Sequence, residues 1–252
     1  MGLKRIALDW GDRVRRSAWR LIALPGPFRW LGRHLEPVLR TFDERYWERQ
    51  WVVERSRDPG VLADAVPDQL KTAVADGWIA PGSQCIDVGT GRGQVAAWLA
   101  EQGFDVLAAD ISEEATRLGS LHFGHLAPRL EFRTLDVSQT TEEMEGRFDF
   151  LFDRGCYHVL PVVQREVYLA NLTSWARPGA KFLLFSRRGP DADVPSLFSP
   201  SFEIVHSEPI LYVRSTGPYP RLGATGTAFR MIRRGRESAP TVQESVETPS
   251  AT

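Results

Sequence analysis

The residue types best suited to chemistry gather in one short run, Asp87-Val88-Gly89-Thr90-Gly91-Arg92-Gly93, between an apolar stretch and a helical pattern. In that context glycines let the backbone turn tightly and come close to a ligand with no Cβ in the way. The spacing narrows the ligand. A dinucleotide loop wants glycines at 89, 91 and 94 to seat a pyrophosphate on the helix N-terminus, but the third glycine is at 93 and position 94 is Gln. Asp87 would set a carboxylate beside that pyrophosphate, whereas it suits a ligand with a positive amino-acid head.

Two further acids extend the pattern. Asp110 falls about 20 residues beyond the loop, where an acid in such folds accepts hydrogen bonds from both ribose hydroxyls. Asp136 falls where a third strand is expected to end, close to the place of an adenine amino group. A nucleoside with a cationic amino-acid portion satisfies all three acids, and S-adenosylmethionine is such a molecule. A nicotinamide cofactor is the weaker alternative.

The hydrophobic pattern supplies the elements that would position these residues. Asp68 to Trp78 reads as a helix with Leu70, Val74 and Trp78 on one face. Cys85 to Val88 is a buried strand, and Gly93 to Gln102 a helix with Val95, Trp98 and Leu99 inward and Gly103 as its stop. Phe104 to Ile111 is a second strand, and Ser112 caps a helix running to about Phe123. Further strands are expected at Leu130 to Val137, Phe148 to Phe152, Lys181 to Phe185, Phe202 to Ser207 and Ala228 to Arg233. Pro161 opens a helix with Val163, Val167, Leu172 and Trp175 near one face, ending near Pro178-Gly179. Such alternation predicts an α/β fold, a doubly wound, mostly parallel sheet with helices on both faces.

Composition removes several other classes. The 252 residues are 42% hydrophobic and 25% charged, ordinary for a globular protein with a sizeable core. Lys plus Arg number 31 against 32 Asp plus Glu, so no overall field would hold a polyanion and a nucleic-acid partner is disfavoured. The two cysteines, Cys85 and Cys156, fit a reducing compartment. No uninterrupted apolar run approaches the roughly 20 residues that cross a bilayer, so the expected location is cytoplasmic. Three regions are expected: a basic, Trp-rich helical extension over 1–60, a main domain over 61–236, and a disordered tail over 237–252.

The chain resembles the class I S-adenosylmethionine-dependent methyltransferases, in the small-molecule branch around thiopurine and tellurite-resistance methyltransferases. Four segments carry the resemblance: Tyr46-Trp47-Glu48-Arg49-Gln50-Trp51, Asp87 to Gly93, Asp110-Ile111-Ser112, and the run from Phe148 through Asp153-Arg154-Gly155-Cys156-Tyr157-His158. It runs from about Tyr46 to about Arg188 and implies a seven-stranded, Rossmann-like sheet with an N-terminal helical extension. It further implies that Asp87, Gly89, Thr90, Gly91 and Gly93 cradle the methionine part, that Asp110 with Ile111 holds the ribose, and that Asp136 with Val137 flanks the adenine. Asp153 and Arg154 would line the methyl-donor mouth. The basic segment before Phe42 lies outside the common pattern, and Ser186-Arg187-Arg188 stands where an acid often follows the serine.

Methyl transfer from a sulfonium needs in-line alignment in a water-poor pocket, and a hydroxyl or thiol acceptor also needs a base within reach. His158, after the fourth strand, is the candidate base or orienting group, and its alternative is a helix-start histidine held by backbone. Tyr157 could orient an acceptor or simply pack. Cys156 is disfavoured as a nucleophile because methyl transfer needs no covalent relay. No metal is expected, since Asp153-Arg154 replaces the adjacent Asp and Asn of metal-assisted relatives and the histidines lack paired ligand spacing. Arg154, Arg187 and Arg188 follow neighbouring strands, and two readings stand: convergence on an anionic small-molecule acceptor, or Arg154 paired with Asp153 or Asp149 and the others solvated. Tyr46, Trp47 and Trp51 read as a lid, and 15–33 as packing, a homodimer contact, or an anionic membrane surface. The rival to an enzyme is a non-catalytic S-adenosylmethionine-binding module docking to a membrane or partner protein.

Overall fold

The computed structural model describes residues 39, 43–49, 51, 66–141, 143–187, 194–214 and 221–235. The expectations for 15–33, Arg188 and the 237–252 tail concern residues outside this set. A helix over 43–49, α1, precedes the main unit. There follow α2 (Asp68–Ala75), β1 (Gln84–Val88), α3 (Gln94–Glu101), β2 (Asp105–Asp110), α4 (Glu113–Phe123), β3 (Leu130–Thr134) and β4 (Phe148–Arg154). The chain continues through α5 (Val162–Trp175), β5 (Ala176–Arg187), α6 (Val194–Phe198), β6 (Phe202–Arg214) and β7 (Arg221–Arg233).

The strands form one seven-stranded sheet in the order β3-β2-β1-β4-β5-β7-β6. From β3 to β5 every pairing is parallel, while β7 runs antiparallel to both β5 and β6. The expected mostly parallel, doubly wound sheet is therefore the observed one. Its order reverses between β1 and β4, and the crevice at such a switch point is where open α/β sheets take their ligands.

The period of two along each strand divides the core into two layers. Ile86, Val88, Leu107, Ala109, Leu151, Phe182 and Leu184 face one side, under Tyr168, Leu172 and Trp175 of α5 and Phe198 of α6. Cys85, Val106, Ala108, Phe150, Phe152, Leu183 and Phe185 face the other, under Leu70 and Ala73 of α2 and Ala96, Ala97 and Leu99 of α3. Each large apolar side chain so buried contributes roughly 1.5–3 kcal/mol. Ser112 caps α4 as expected, accepting from Ala115 N–H at 3.2 Å.

Several boundaries differ from the sequence reading, for local reasons. The helix from Asp68 stops at Ala75, because Asp76 accepts from Trp78 N–H and turns the chain. Trp78 then packs edge-on against Phe150 at 6.4 Å. β3 stops at Thr134 rather than near Val137, which leaves Asp136 in the following loop. β6 and β7 extend into a long hairpin through Pro209, which an edge strand tolerates because one side of its backbone carries no ladder.

Candidate functional site

A cavity of about 350 Å³ opens at the C-terminal ends of β1, β2 and β4. The loop after β1 is tied to β2 by its own backbone: Gly89 and Thr90 N–H donate to the Ala109 carbonyl at 2.8 and 2.9 Å. Gly91, with φ +58°, turns the loop, and a Cβ there would meet the Trp51 ring at 2.7 Å. Asp87, Gly89, Thr90 and Gly91 all line the cavity, as do Asp110, Ile111, Asp136 and Val137.

The three acids at this wall are held in different ways. Asp87 accepts from Thr90 Oγ1 at 2.6 Å. Burial pushes its carboxyl up to about 7, the Thr90 bond opposes this, and the nearby Asp153 and Asp110 carboxylates add to it. Asp110 accepts from Gly91 N–H at 2.8 Å and Ser112 N–H at 3.0 Å, and burial raises it despite those bonds. Asp136 accepts from the backbone and hydroxyl of Ser138 at 2.9 and 2.6 Å and from Gln139 Nε2 at 2.9 Å.

Asp43 and Trp47 of α1 line one side of the cavity, together with Trp51. Glu48 anchors this helix by accepting from Ser112 Oγ and from Glu114 N–H at 3.1 Å, so one helix supplies an acid to the N-terminus of another. Glu48 was quoted in the sequence motif but given no role there, since only the fold brings residues 48 and 112 together.

Four expected site residues sit elsewhere. Asp153 does not line the cavity but is fully buried, accepting from the N–H groups of Gly155, Cys156 and Tyr157 at 2.9–3.0 Å and from the Tyr168 hydroxyl at 2.5 Å. It pins its own loop, and burial lifts it to about 6 even against those four bonds. Gly93 is likewise absent from the lining; its φ of +79° starts α3, and a Cβ there would collide with Phe132 of β3. Tyr157 is buried in the aromatic core, 5.2 Å from Phe198 and under the Arg165 guanidinium at 4.9 Å. His158 lies beside Gly155, its Cε1 3.9 Å from where a Gly155 Cβ would be, and does not line the cavity.

Arg154 does line the cavity, but Arg187 is exposed and outside it, so the described residues show no convergence of arginines. Asp149 is at the opposite end of β4, bound to Arg177 at 2.7 Å, and is no partner for Arg154. Cys156 lines the cavity with a thiol raised well above its usual value by burial and then by the surrounding carboxylates, so it stays protonated. Missed entirely were Asp43, Leu135, Val159, Leu160 and Gln164 of the lining. The available signal was Gln164, a polar residue on the inward face of α5 and 4% exposed.

A wall with Asp87, Asp110 and Asp136 within one cavity would repel a pyrophosphate and suits a ligand with a cationic amino-acid portion and ribose hydroxyls. The residues therefore fit S-adenosylmethionine. Among the described residues no cluster of three or more His, Cys, Asp or Glu could hold a metal ion, and no helix is long and apolar enough to cross a membrane.

Comparison with known proteins agrees on the class. Residues 85–179 match the family described as methyltransferase domain. The 2-heptyl-1-hydroxyquinolin-4(1H)-one methyltransferase of Mycobacteroides abscessus is 30% identical over 148 residues, 56% of this chain and 62% of that protein. The chain thus spans about three fifths of that relative's length. The 1,6-didemethyltoxoflavin-N1-methyltransferase of Burkholderia thailandensis, solved with 1,6-didemethyltoxoflavin and S-adenosylhomocysteine, matches at TM-score 0.58 and 20% identity over 84% of this chain and 92% of that one. The N-methyltransferase NodS of Bradyrhizobium japonicum matches at TM-score 0.57 and 12% identity over 74% of this chain and 97% of that one. The fold is that of the class I S-adenosylmethionine-dependent methyltransferases.

Proposed function

We propose that the protein transfers a methyl group from S-adenosylmethionine to an O, N or S atom of a small-molecule acceptor by in-line displacement. The observation that carries this reading is the cavity wall itself, where the glycine-turned loop, Asp87, Asp110 and Asp136 face one space beneath Trp47 and Trp51. The 2-heptyl-1-hydroxyquinolin-4(1H)-one methyltransferase and the toxoflavin-type enzyme support a small heterocyclic acceptor, and neither favours a nicotinamide reaction.

Asp87, Gly89, Gly91, Asp110, Ile111, Asp136 and Val137 would hold the cofactor, with Asp87 ionised against its cationic portion. When bound, S-adenosylmethionine supplies an electrophilic methyl group on a sulfonium. Asp43, Trp47 and Trp51 keep water out, which strengthens electrostatics inside the cavity. Arg154 orients the acceptor and stabilises negative charge on it, so that its reacting atom arrives deprotonated. This assigns to Arg154 what a base would otherwise do, since Arg154 lines the cavity and His158 does not. Cys156, protonated, does not compete for the methyl group.

The test has two stages. Calorimetry should show S-adenosylhomocysteine binding without measurable binding of NADH. Incubation with methyl-labelled S-adenosylmethionine and a small-metabolite extract should then label a small molecule. Binding with no labelled product from any extract would favour the non-catalytic module; absence of binding would remove the reading altogether.

A further inference from the structure

Arg154 also lines a second cavity of about 590 Å³. Its other walls are mainly apolar: Pro67, Phe185, Pro209, Ile210 and Leu211, with Asp68, Gln69 and Thr225 as the polar part. The sheet register explains why one residue borders both. Arg154 pairs with Phe185 across β4 and β5, Arg187 of β5 with Gly226 of β7, and Gly226 in turn with Ile210 of β6. The groove therefore runs from Arg154 along the C-terminal edge of the parallel sheet and onto the β6–β7 hairpin. Leu211 is 65% exposed there, an unusual outlay of apolar surface on an edge strand, where a polar side chain would guard against strand pairing.

Resting on the methyltransferase reading above, we propose that this groove receives an apolar extension of the methyl acceptor. The acceptor is then an amphiphile: a polar, reacting head beside Arg154 in the first cavity, and an alkyl or aryl tail over Phe185, Ile210 and Leu211. Three features support a tail over a wholly polar acceptor. The groove shares Arg154 with the wall of the first cavity. Its inner end holds a guanidinium that can seat a polar head. Beyond that end, the wall turns to side chains that gain nothing from a polar partner and gain from loss of water.

A homologous series from butanoate to decanoate, titrated by calorimetry in the presence of S-adenosylhomocysteine, tests the groove directly. The same series as primary alcohols separates the head from the tail. Affinity should rise by about threefold to fourfold per added methylene in both series, as for burial of a CH₂ group. In Leu211→Glu and in Ile210→Ser the dependence on chain length should flatten. The melting temperature checks that the variants fold, and exposed Leu211 provides a change that folding tolerates. Affinity independent of chain length in the native protein, or a dependence that survives in both variants, would overturn the proposal. Failure of the native protein to bind S-adenosylhomocysteine would instead count against the methyltransferase reading.

Discussion

Two loops leave neighbouring strands of the sheet, one after β1 and one after β4, and each begins near an aspartate that the fold buries. Asp87 and Asp153 stand almost side by side, since Val88 is the register partner of Asp153. Yet their surroundings differ. Asp87 borders the cavity, accepts from the Thr90 hydroxyl, and has its carboxyl pushed up to about 7. Asp153 faces inward and accepts four hydrogen bonds, three of them from its own loop. One buried acid opens onto a space that suits a cationic ligand. The other lies outside that space and gives its loop a shape. Position at a strand end does not by itself distinguish the two; whether the carboxylate borders the cavity does.

The sharpest way to break this contrast is at Gly91. A Val there would force a β-branched residue into φ +58° and against Trp51, and cofactor affinity should fall more than about 100-fold in calorimetry. Retained affinity would mean the loop does not contact the ligand.

Asp153→Ala tests the structural side. It strips partners from three buried N–H groups and a hydroxyl, so urea unfolding should show a loss of about 3 kcal/mol, the upper range for such unsatisfied groups. An unchanged denaturation midpoint would make Asp153 a ligand residue after all.

Asp110→Ala should weaken cofactor binding by roughly 1.5–3 kcal/mol, the range for hydrogen bonds to a charged group. Its bonds to Gly91 and Ser112 mean that the stability of the unliganded protein should be measured alongside.

The pH response separates the two acids further. Asp87 sits at about 7 in the fold against an ordinary 3.8, so the folded protein holds a proton that the unfolded chain releases. This contribution to stability is full below about 4 and is lost as pH rises through about 7. A cationic ligand favours the ionised form, so its affinity should rise over the same upper range and level off above about 7. Asp87→Asn should remove the part of both dependences centred near 7, leaving the part that Asp153 contributes around 6. Parallel pH profiles for the variant and the native protein would refute the assignment.

The smallest effect is expected at His158. Because His158 does not line the cavity, His158→Gln should change kcat less than about threefold with any acceptor found, whereas Arg154→Gln should raise KM for the acceptor. A large fall in kcat at His158 would restore it as the base.

The amino-acid sequence by itself determined the sheet, the two-layer core and the wall of acids on the β1–β3 side. Alternation with period two, Ser112 as a cap and the 89–91–93 glycine spacing are local signals, and local physics suffices to read them. Asp87, Asp110 and Asp136 followed from strand order alone, even though β3 ended before Asp136 and left it to a loop. Only the tertiary structure decided which residues after β4 face the cavity. A run of Asp, Arg, Gly, Cys, Tyr and His is rich in chemistry whichever way each side chain points. Whether Asp153 turns inward depends on Tyr168 lying 15 residues away on α5, and whether Tyr157 packs depends on Phe198 of α6. Glu48 reaches Ser112 across 64 positions, and Arg154 lines two cavities because β4, β5, β7 and β6 lie side by side. Such contacts have no sequence period, since chain distance and spatial distance are unrelated once helices fold back on a sheet.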